Sequence, residues 1–423
     1  MKKIVFDKVD ENIYYEKINN QVDLYLYPVN KTKNFYITIT VKFGAKVMKY
    51  KLGDNIYDVI PGSAHFLEHK VMSFSEDPRI VNMINSLGLQ ANAYTSWDVT
   101  NYNLYGSENI EESIKLLLDM FYKPNITLKN VEEEKGIICE EIDMTNDRLE
   151  TMVSFRLFDN LFNSSYLNNT ILGTKDDINS LTYKKLMKVY DDFYVPENTF
   201  ITVCGSFDKD KVYNVINDYI KGLKLKNKKA PKVIKKREKD NIKVNLEKVY
   251  KRVSCPKVRI GYKINKKIFN IKDNNKLYAY IHIILSSNIS CGSVLYDKYI
   301  NEKLVLGLGI SKGIFDNHLV ISVNATTYDA KKFVDRINED INHLTLSKED
   351  FERKKKLYLK SYILEFDDII NVESLITDHI IDKNKINPNV YNDIMSLKYE
   401  EALDVMKKLK FDNYSVIVVN DEK

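Results

Sequence analysis

The chain has 423 residues, a length that suits two or more domains rather than one core. Hydrophobic residues make up 44% and charged residues 29%, which is typical of a soluble globular protein. The net charge of +5 is mild for this length, and no nucleic-acid docking motif accompanies it. Composition therefore indicates a soluble globular protein, and nucleic-acid binding is possible on charge alone.

The cysteines and the N-terminus indicate a reducing compartment. Long and irregular spacings separate Cys139, Cys204, Cys255 and Cys291, which argues against a disulfide framework and a thiolate zinc site. The N-terminal residues contain no apolar run long enough for a signal peptide. No segment approaches the ~18 uninterrupted apolar residues of a membrane span. We expect a cytoplasmic protein without a membrane span.

The first half alternates strand and helix patterns. "VDLYLYPVN" and "NFYITITVKFGA" alternate in polarity and are joined by a polar turn, which predicts an antiparallel pair. "GSAHFLEHKVMSF" has helical spacing, "LQANAYTSWDVTNYNLYG" returns to strand character, and "NIEESIKLLLDMFYKP" is an amphipathic helix stopped by Pro124. A long helical stretch is predicted from Leu128 to Phe162. The pattern of "TFITVCGSFDKDKVYNVINDYIKGL" predicts a strand, a turn and another helix.

A basic stretch divides the chain. Half of the residues from Lys221 to Asp240 are Lys or Arg, a pattern that indicates a solvated linker; a tether for an acidic partner or nucleic acid is the alternative. After it the pattern recurs, because "HLVISVNATTYDAKKFVDRINEDINHL" repeats the order strand, loop, amphipathic helix. We predict an N-terminal half at 1–222, a linker at 223–245 and a homologous C-terminal half at 246–423.

The repeated pattern predicts the fold class α+β. We expect two duplicated α/β-sandwich halves, each a mostly antiparallel sheet with helices packed on one face. The two halves would face each other as a clamshell, and a cleft between halves is a frequent place for a substrate site.

The motif "HFLEH" carries the clearest chemistry. His65 and His69 are four residues apart, so they lie on one face of a helix, and Glu68 borders that face. Two imidazoles on one face can bind one metal ion, and a neighbouring carboxylate can accept a proton from the attacking water. The pattern His-x-x-Glu-His is the inverzincin motif. We therefore predict a zinc site in which Glu68 is the general base.

A third ligand should come from the helix "NVEEEKGIICEEIDM". Glu134 and Glu141 are seven residues apart and share a face, but Glu133 and Glu140 share the neighbouring face. Spacing alone therefore does not choose between Glu140 and Glu141.

The segments "HFLEH", "ANAYTS" and "EKGIICEEI" resemble the pitrilysin family of zinc metallopeptidases, which includes small bacterial two-domain peptidases and the mitochondrial processing peptidase. The resemblance is clear from about Gly62 to Asp143 and extends weakly across the whole chain. It implies that Glu141 is the third zinc ligand and that Glu134 supports a ligating histidine. It also implies that Asn92, Ala93, Tyr94 and Thr95 form a sheet edge with which an extended peptide pairs.

The resemblance implies a zinc-dependent endopeptidase that cleaves small or unfolded peptides bound as an added strand. The alternative is a non-catalytic peptide-binding or scaffold member of the same family. Active single-chain members carry an arginine and a tyrosine in the second half, where this chain has Asn301 and Leu308 in "INEKLVLGLGIS". We therefore expect a heterodimer with a related chain that lacks the zinc motif, or a homodimer.

Overall fold

The computed structural model describes residues 1–72, 78–163, 166–223 and 229–422. Residues 224–228 of the predicted linker and residues 73 and 74 of the predicted motif helix lie outside these ranges.

Strands in the described ranges are β1 (Lys2–Phe6), β2 (Glu11–Ile18), β3 (Val22–Pro28), β4 (Phe35–Val41), β5 (Lys49–Leu52), β6 (Asn55–Asp58), β7 (Gln90–Thr95), β8 (Thr100–Gly106), β9 (Thr199–Gly205), β10 (Lys232–Val233), β11 (Leu246–Tyr250), β12 (Lys257–Asn265), β13 (Val305–Phe315), β14 (His318–Thr327) and β15 (Tyr414–Asn420). Helices in the same ranges are α1 (Ser63–Val71), α2 (Pro78–Ser86), α3 (Ile110–Tyr122), α4 (Leu128–Asp147), α5 (Leu149–Leu161), α6 (Lys175–Ser180), α7 (Tyr183–Phe193), α8 (Lys209–Gly222), α9 (Asn274–Asn288), α10 (Val294–Asn301), α11 (Ala330–Asp340), α12 (Lys348–Leu364), α13 (Ile369–Lys383), α14 (Val390–Met395) and α15 (Tyr399–Lys408). None of these helices combines the length and the apolar character that crossing a bilayer requires.

The chain folds into two compact units, and the predicted α+β class is confirmed. Unit 1 contains residues 1–145, 169–235 and 363–388; unit 2 contains 146–168, 236–362 and 389–423. The predicted halves are continuous segments of the chain. Each observed unit is made of three separate segments, so that α5 belongs to unit 2 and α13 to unit 1.

Unit 1 is built on a seven-stranded sheet in the order β1-β2-β3-β9-β4-β8-β7. The predicted pairing of β3 with β4 is wrong, because β9 lies between them, parallel to β3 and antiparallel to β4. The loop between β3 and β4 is short, but it spans the width of one inserted strand. The fully buried, β-branched sequence of β9, "TFITVCG", suits this central position.

The two faces of this sheet differ in polarity. Side chains alternate along each strand, so Ile37 and Ile39 of β4 face the apolar core while Thr38 and Thr40 face the other side. Helix α13 packs on that polar side against β9 and β4, in addition to the helices on the apolar face. Its buried Glu373 accepts a hydrogen bond from Thr38 at 3.0 Å.

Helix α1 begins at a glycine that the packing requires. Gly62 has φ +86°, a left-handed backbone conformation that favours glycine. A Cβ at this position would lie 2.3 Å from the backbone oxygen of Leu172. The start of α1 is therefore fixed by a close approach between two backbone segments.

The long helix predicted from Leu128 to Phe162 is two helices. Arg148 has extended backbone angles, φ −74° and ψ 103°, which separate α4 from α5. The break allows α4 to remain in unit 1 while α5 packs on β12 and β15 of unit 2.

Unit 2 has a five-stranded sheet in the order β11-β15-β12-β14-β13, with one parallel pair, β11 and β15. Its apolar core includes Ile281 and Ile284 of α9 and Ile321 of β14. The end of the predicted linker is part of this unit, because Glu238 accepts a hydrogen bond from the buried Lys263 at 2.9 Å. In unit 1, β10 of the predicted linker pairs with β5.

Candidate metal site

Helix α1 presents the motif by burying its other side chains. Phe66 and Leu67 are fully buried and Val71 nearly so, which anchors the helix against the sheet of unit 1. His65 and His69 project toward α4, with ring centroids 4.5 Å apart. The i, i+4 spacing therefore places both imidazoles on one side, as predicted.

Helix α4 supplies the carboxylates. Val131, Ile138 and Ile142 are buried in the core, which orients Glu134 and Glu141 toward α1. Glu141 Oε2 lies 3.6 Å from His65 Nε2 and 3.4 Å from His69 Nε2. One donor atom from each of the three residues lies within 4.8 Å of the others.

The structure distinguishes Glu140 from Glu141, the two candidates for the third ligand between which the spacing did not choose. Glu141 is the one that faces both imidazoles, whereas Glu140 is exposed to solvent. The donor set of two nitrogens and one carboxylate oxygen fits a zinc ion that keeps one position open for a water molecule or substrate.

Glu134 and Lys70 lie behind His69. Glu134 Oε1 is 2.9 Å from His69 Nδ1, and Glu134 Oε2 accepts a hydrogen bond from Lys70 Nζ at 2.9 Å. Lys70 is 1% exposed and also donates to the backbone oxygen of Asn130 at 3.3 Å. Nδ1 of His69 is thus engaged by a carboxylate that is itself held by a buried ammonium group, which leaves Nε2 directed at Glu141.

The charges in the cluster shift the pKa values in opposite directions. Burial and the neighbouring His69 lower the pKa of His65 to about 4. Burial also acts to lower the pKa of His69, but the bonds to Glu134 and Glu141 outweigh it and raise the value to about 9. Burial acts to raise the pKa of Glu134, yet His69 and Lys70 lower it to about 2. The site is therefore charged and strongly polarised.

Glu68 is held beside the edge of the sheet. Its Oε2 accepts a hydrogen bond from Thr95 Oγ1 at 2.6 Å. Burial raises the pKa of Glu68, and the bond from Thr95 opposes that rise. Thr95, predicted from the resemblance as part of the substrate strand, thus uses its side chain to hold the predicted base.

The predicted substrate strand is β7, one of the two edge strands of the unit 1 sheet; within the described ranges it pairs with β8 alone. Ala93 and Thr95 alternate with Asn92 and Tyr94, so Asn92 and Tyr94 point to the face opposite Glu68. Asn92 Oδ1 accepts a hydrogen bond from the backbone nitrogen of Ala93 at 2.9 Å. The backbone of β7 lies near Glu68, but these two side chains are not directed at it.

Sequence reasoning missed Lys70. The available signal was a lysine directly after His69 in a helix otherwise rich in apolar residues, opposite a helix rich in acids. In unit 2, Asn301 is exposed at the end of α10, and Leu308 packs partly buried against the core. Neither side chain takes the place of the arginine and tyrosine expected from the resemblance.

Two family models match consecutive parts of the chain. Residues 57–175 match the family model described as Insulinase (Peptidase family M16), and residues 180–358 match the Peptidase M16 inactive domain. A Bacillus subtilis protein described as the uncharacterized zinc protease YmfH is 31% identical over 220 residues, covering 52% of this chain and 51% of that protein. The mitochondrial-processing peptidase subunit beta of Caenorhabditis elegans is 27% identical over 169 residues, covering 38% of this chain and 36% of that protein. These matches span about half or less of the relatives' length.

Solved structures share the fold along nearly the whole chain. An M16-like peptidase from Alicyclobacillus acidocaldarius has a TM-score of 0.89 at 23% identity, covering 97% of this chain and 98% of that one. A protease from Helicobacter pylori has a TM-score of 0.80 at 18% identity, covering 97% of this chain and 100% of that one. The family models matched by residues 57–175 and 180–358 confirm the resemblance inferred from the motif segments, and the chain belongs to peptidase family M16, the insulinase family.

Proposed function

We propose that the protein is a zinc-dependent endopeptidase. The observation that carries the proposal is the convergence of His65 Nε2, His69 Nε2 and Glu141 Oε2, with Glu68 beside them. His65, His69 and Glu141 would hold the zinc ion. When bound, zinc polarises a substrate carbonyl and lowers the pKa of a water molecule to about 7.

The chain's own residues would act as follows. Glu68 accepts the proton of the attacking water at its carboxylate and then donates it to the leaving amine. Thr95 orients that carboxylate through the 2.6 Å hydrogen bond. Glu134, held by Lys70, keeps His69 in the orientation in which Nε2 faces the metal position.

The substrate would be a small or unfolded peptide bound as an added strand along Asn92, Ala93, Tyr94 and Thr95. The edge position of β7 supports this, because no other strand in the described ranges pairs with its outer backbone groups. Side chains of the bound peptide would alternate between the Glu68 side and the Tyr94 side.

We propose further that the protein forms a heterodimer with a related chain that lacks His-x-x-Glu-His. A homodimer is the alternative. The support is the absence of an arginine and a tyrosine at Asn301 and Leu308, together with a relative named as a subunit. A cytoplasmic location is proposed with it, supported by the free thiols of Cys139, Cys204, Cys255 and Cys291.

Glu68→Gln tests the reaction. The amide keeps the shape of the side chain but cannot accept the proton, so we expect full zinc content and loss of peptide hydrolysis. Zinc analysis and cleavage of a quenched fluorescent peptide library are measured on both proteins. Equal cleavage by the variant would assign the base elsewhere. No cleavage by either protein, alone or with its related chain, would favour the non-catalytic alternative.

A further inference from the structure

A second cluster of basic and aromatic side chains lies in unit 2, where α9, α12 and β13 meet. Lys312 Nζ of β13 is 3.0 Å from His282 Nδ1 of α9 and 4.7 Å from the ring centroid of Tyr278. The His282 ring stacks on Tyr358 of α12 with centroids 4.8 Å apart. Lys354 Nζ, also on α12, donates to Ser290 Oγ at 3.3 Å. We name these residues the Lys312 cluster.

The cluster carries the positive charge of two lysines, Lys312 and Lys354. In the described part of the chain, no carboxylate is paired with Lys312 or Lys354; Asp350, which attracts Lys354, is paired with Arg353. Burial lowers the pKa of Lys312, and burial with both lysines lowers the pKa of His282 to about 4. A neutral imidazole thus accepts a bond from a half-buried ammonium.

This arrangement has an energetic cost that an anion would relieve. A partly desolvated ammonium group loses hydration, and the bond to a neutral imidazole and the nearby tyrosine ring give Lys312 no counter-charge. A carboxylate placed between the two lysines would make charge-assisted hydrogen bonds, and the tyrosine rings would exclude water from them. All of the side chains are partly exposed, so a ligand can reach them.

The cluster adjoins a free sheet edge. Strand β13 lies at one edge of its sheet, and among the residues that the structure describes it pairs with β14 alone. Lys312 lies on the same side of β13 as Ile310 and Ile314, which pack against the core, so its ammonium lies between the edge and α9. An edge with unpaired backbone groups favours an extended peptide over a compact anion such as phosphate.

We infer that the Lys312 cluster binds a carboxylate of an extended peptide laid along β13. The carboxylate comes from an acidic side chain or from the peptide's C-terminus. The inference rests on the proposed function only in that peptides are the ligand class, and it would direct the enzyme toward acidic peptides.

Fluorescence anisotropy with labelled nonapeptides tests the inference. The protein is the zinc-loaded Glu68→Gln variant, so that the peptide stays intact. One peptide carries glutamate at its centre, a second carries glutamine there, and each is made with a free and an amidated C-terminus. We expect Lys312→Met and Lys354→Met each to weaken binding of the acidic peptide by about tenfold or more.

Lys360→Met is the matched control, because Lys360 is an exposed lysine on α12 outside the cluster, and it should not change binding. Thermal unfolding of each variant identifies any that fail to fold. If Lys312→Met fails to fold, Lys354→Met still tests the inference. A difference between glutamate and glutamine peptides assigns the ligand to a side chain; a difference between free and amidated ends assigns it to the terminus.

Equal binding of all four peptides would overturn the inference, as would unchanged binding by both lysine variants. Inorganic phosphate that displaces the peptide with a Kd lower than the peptide's own would also overturn it. Binding that depends on Lys312, in a protein whose wild type hydrolyses no peptide either alone or with its related chain, would overturn the proposed function and leave this inference standing.

Discussion

Lys70 influences the candidate metal site through another residue, Glu134. It touches neither imidazole in the contacts described above, yet it holds the carboxylate that fixes His69. The ammonium is buried, so its removal would leave Glu134 with an unmatched charge beside the site.

Lys70→Met should weaken zinc binding about 10- to 100-fold, the usual effect of losing a group that orients a metal ligand. Lys129→Met is the control, because Lys129 pairs with Glu133 at the surface of the same helix as Glu134. Competition with a fluorescent chelator gives both affinities. Zinc binding by Lys70→Met that matches the control would show that Glu134 is held without the lysine.

Glu141→Gln should lose most of the zinc, because the amide is a poorer ligand than the carboxylate that faces both imidazoles. Glu140→Gln should keep it, because Glu140 lies on the exposed side of α4. Atomic absorption on dialysed protein measures the zinc content of both variants. Zinc loss in the Glu140 variant alone would shift the assignment by one residue.

The residues of the motif could be predicted because His65, Glu68 and His69 are brought together by one helix. The glutamates could not be chosen by spacing, since both pairs repeat every seven residues along α4. Lys70 and the second role of Thr95 depend on contacts between elements far apart in sequence, which periodicity does not encode.

At the scale of elements, α13 holds a carboxylate against the polar face of the unit 1 sheet. Glu373 is 1% exposed and accepts hydrogen bonds from Thr38, Asn101 and Thr377 at 3.0, 3.2 and 2.8 Å. Burial raises its pKa to about 6, and the charge of Asp378 adds to the rise. The hydrogen bonds reduce the cost of the buried charge but do not remove it.

This shift predicts a pH-dependent stability of unit 1. Because the folded pKa lies above the ordinary 4.5, the folded state binds more protons, and stability falls as the pH rises from about 4.5 to about 6. The loss is about 2 kcal/mol, from 1.36 kcal/mol per pKa unit. Tyr36, Tyr94 and Cys204, which face Glu373, have raised pKa values and stay neutral in this range.

Glu373→Gln should lack this dependence, so its stability relative to the wild type should increase by about 2 kcal/mol between pH 4.5 and pH 7.5. Urea unfolding followed through Trp97, the single tryptophan and a residue of unit 1, measures the difference. Glu349→Gln, at an exposed position, is the control. A constant difference between wild type and Glu373→Gln would contradict the raised pKa.

The elements themselves were largely predictable, and their partners were not. The alternation in "VDLYLYPVN" and "NFYITITVKFGA" identified β3 and β4, but the strand between them comes from residues 199–205. The apolar stripes of α5 and α13 indicate that each must be buried, but not which sheet receives it. Both helices pack in the unit formed mostly by the other half of the sequence.

At the scale of the whole molecule, the proposed division of labour makes a kinetic prediction. The zinc-loaded chain alone should cleave peptides slowly, because Asn301 and Leu308 offer little to hold a substrate carbonyl. Adding a related chain that lacks the zinc motif should raise kcat/KM by at least about tenfold, or roughly 1.4 kcal/mol of transition-state stabilisation. Full activity from the pure single chain would refute this division and leave the zinc ligands unaffected.

Anomalous diffraction at the zinc absorption edge, on crystals grown with zinc, would locate the metal ion itself. We predict one strong peak in each chain, about 2.0–2.2 Å from His65 Nε2, His69 Nε2 and a carboxylate oxygen of Glu141. A peak at other residues, or crystals with no peak between α1 and α4, would contradict it.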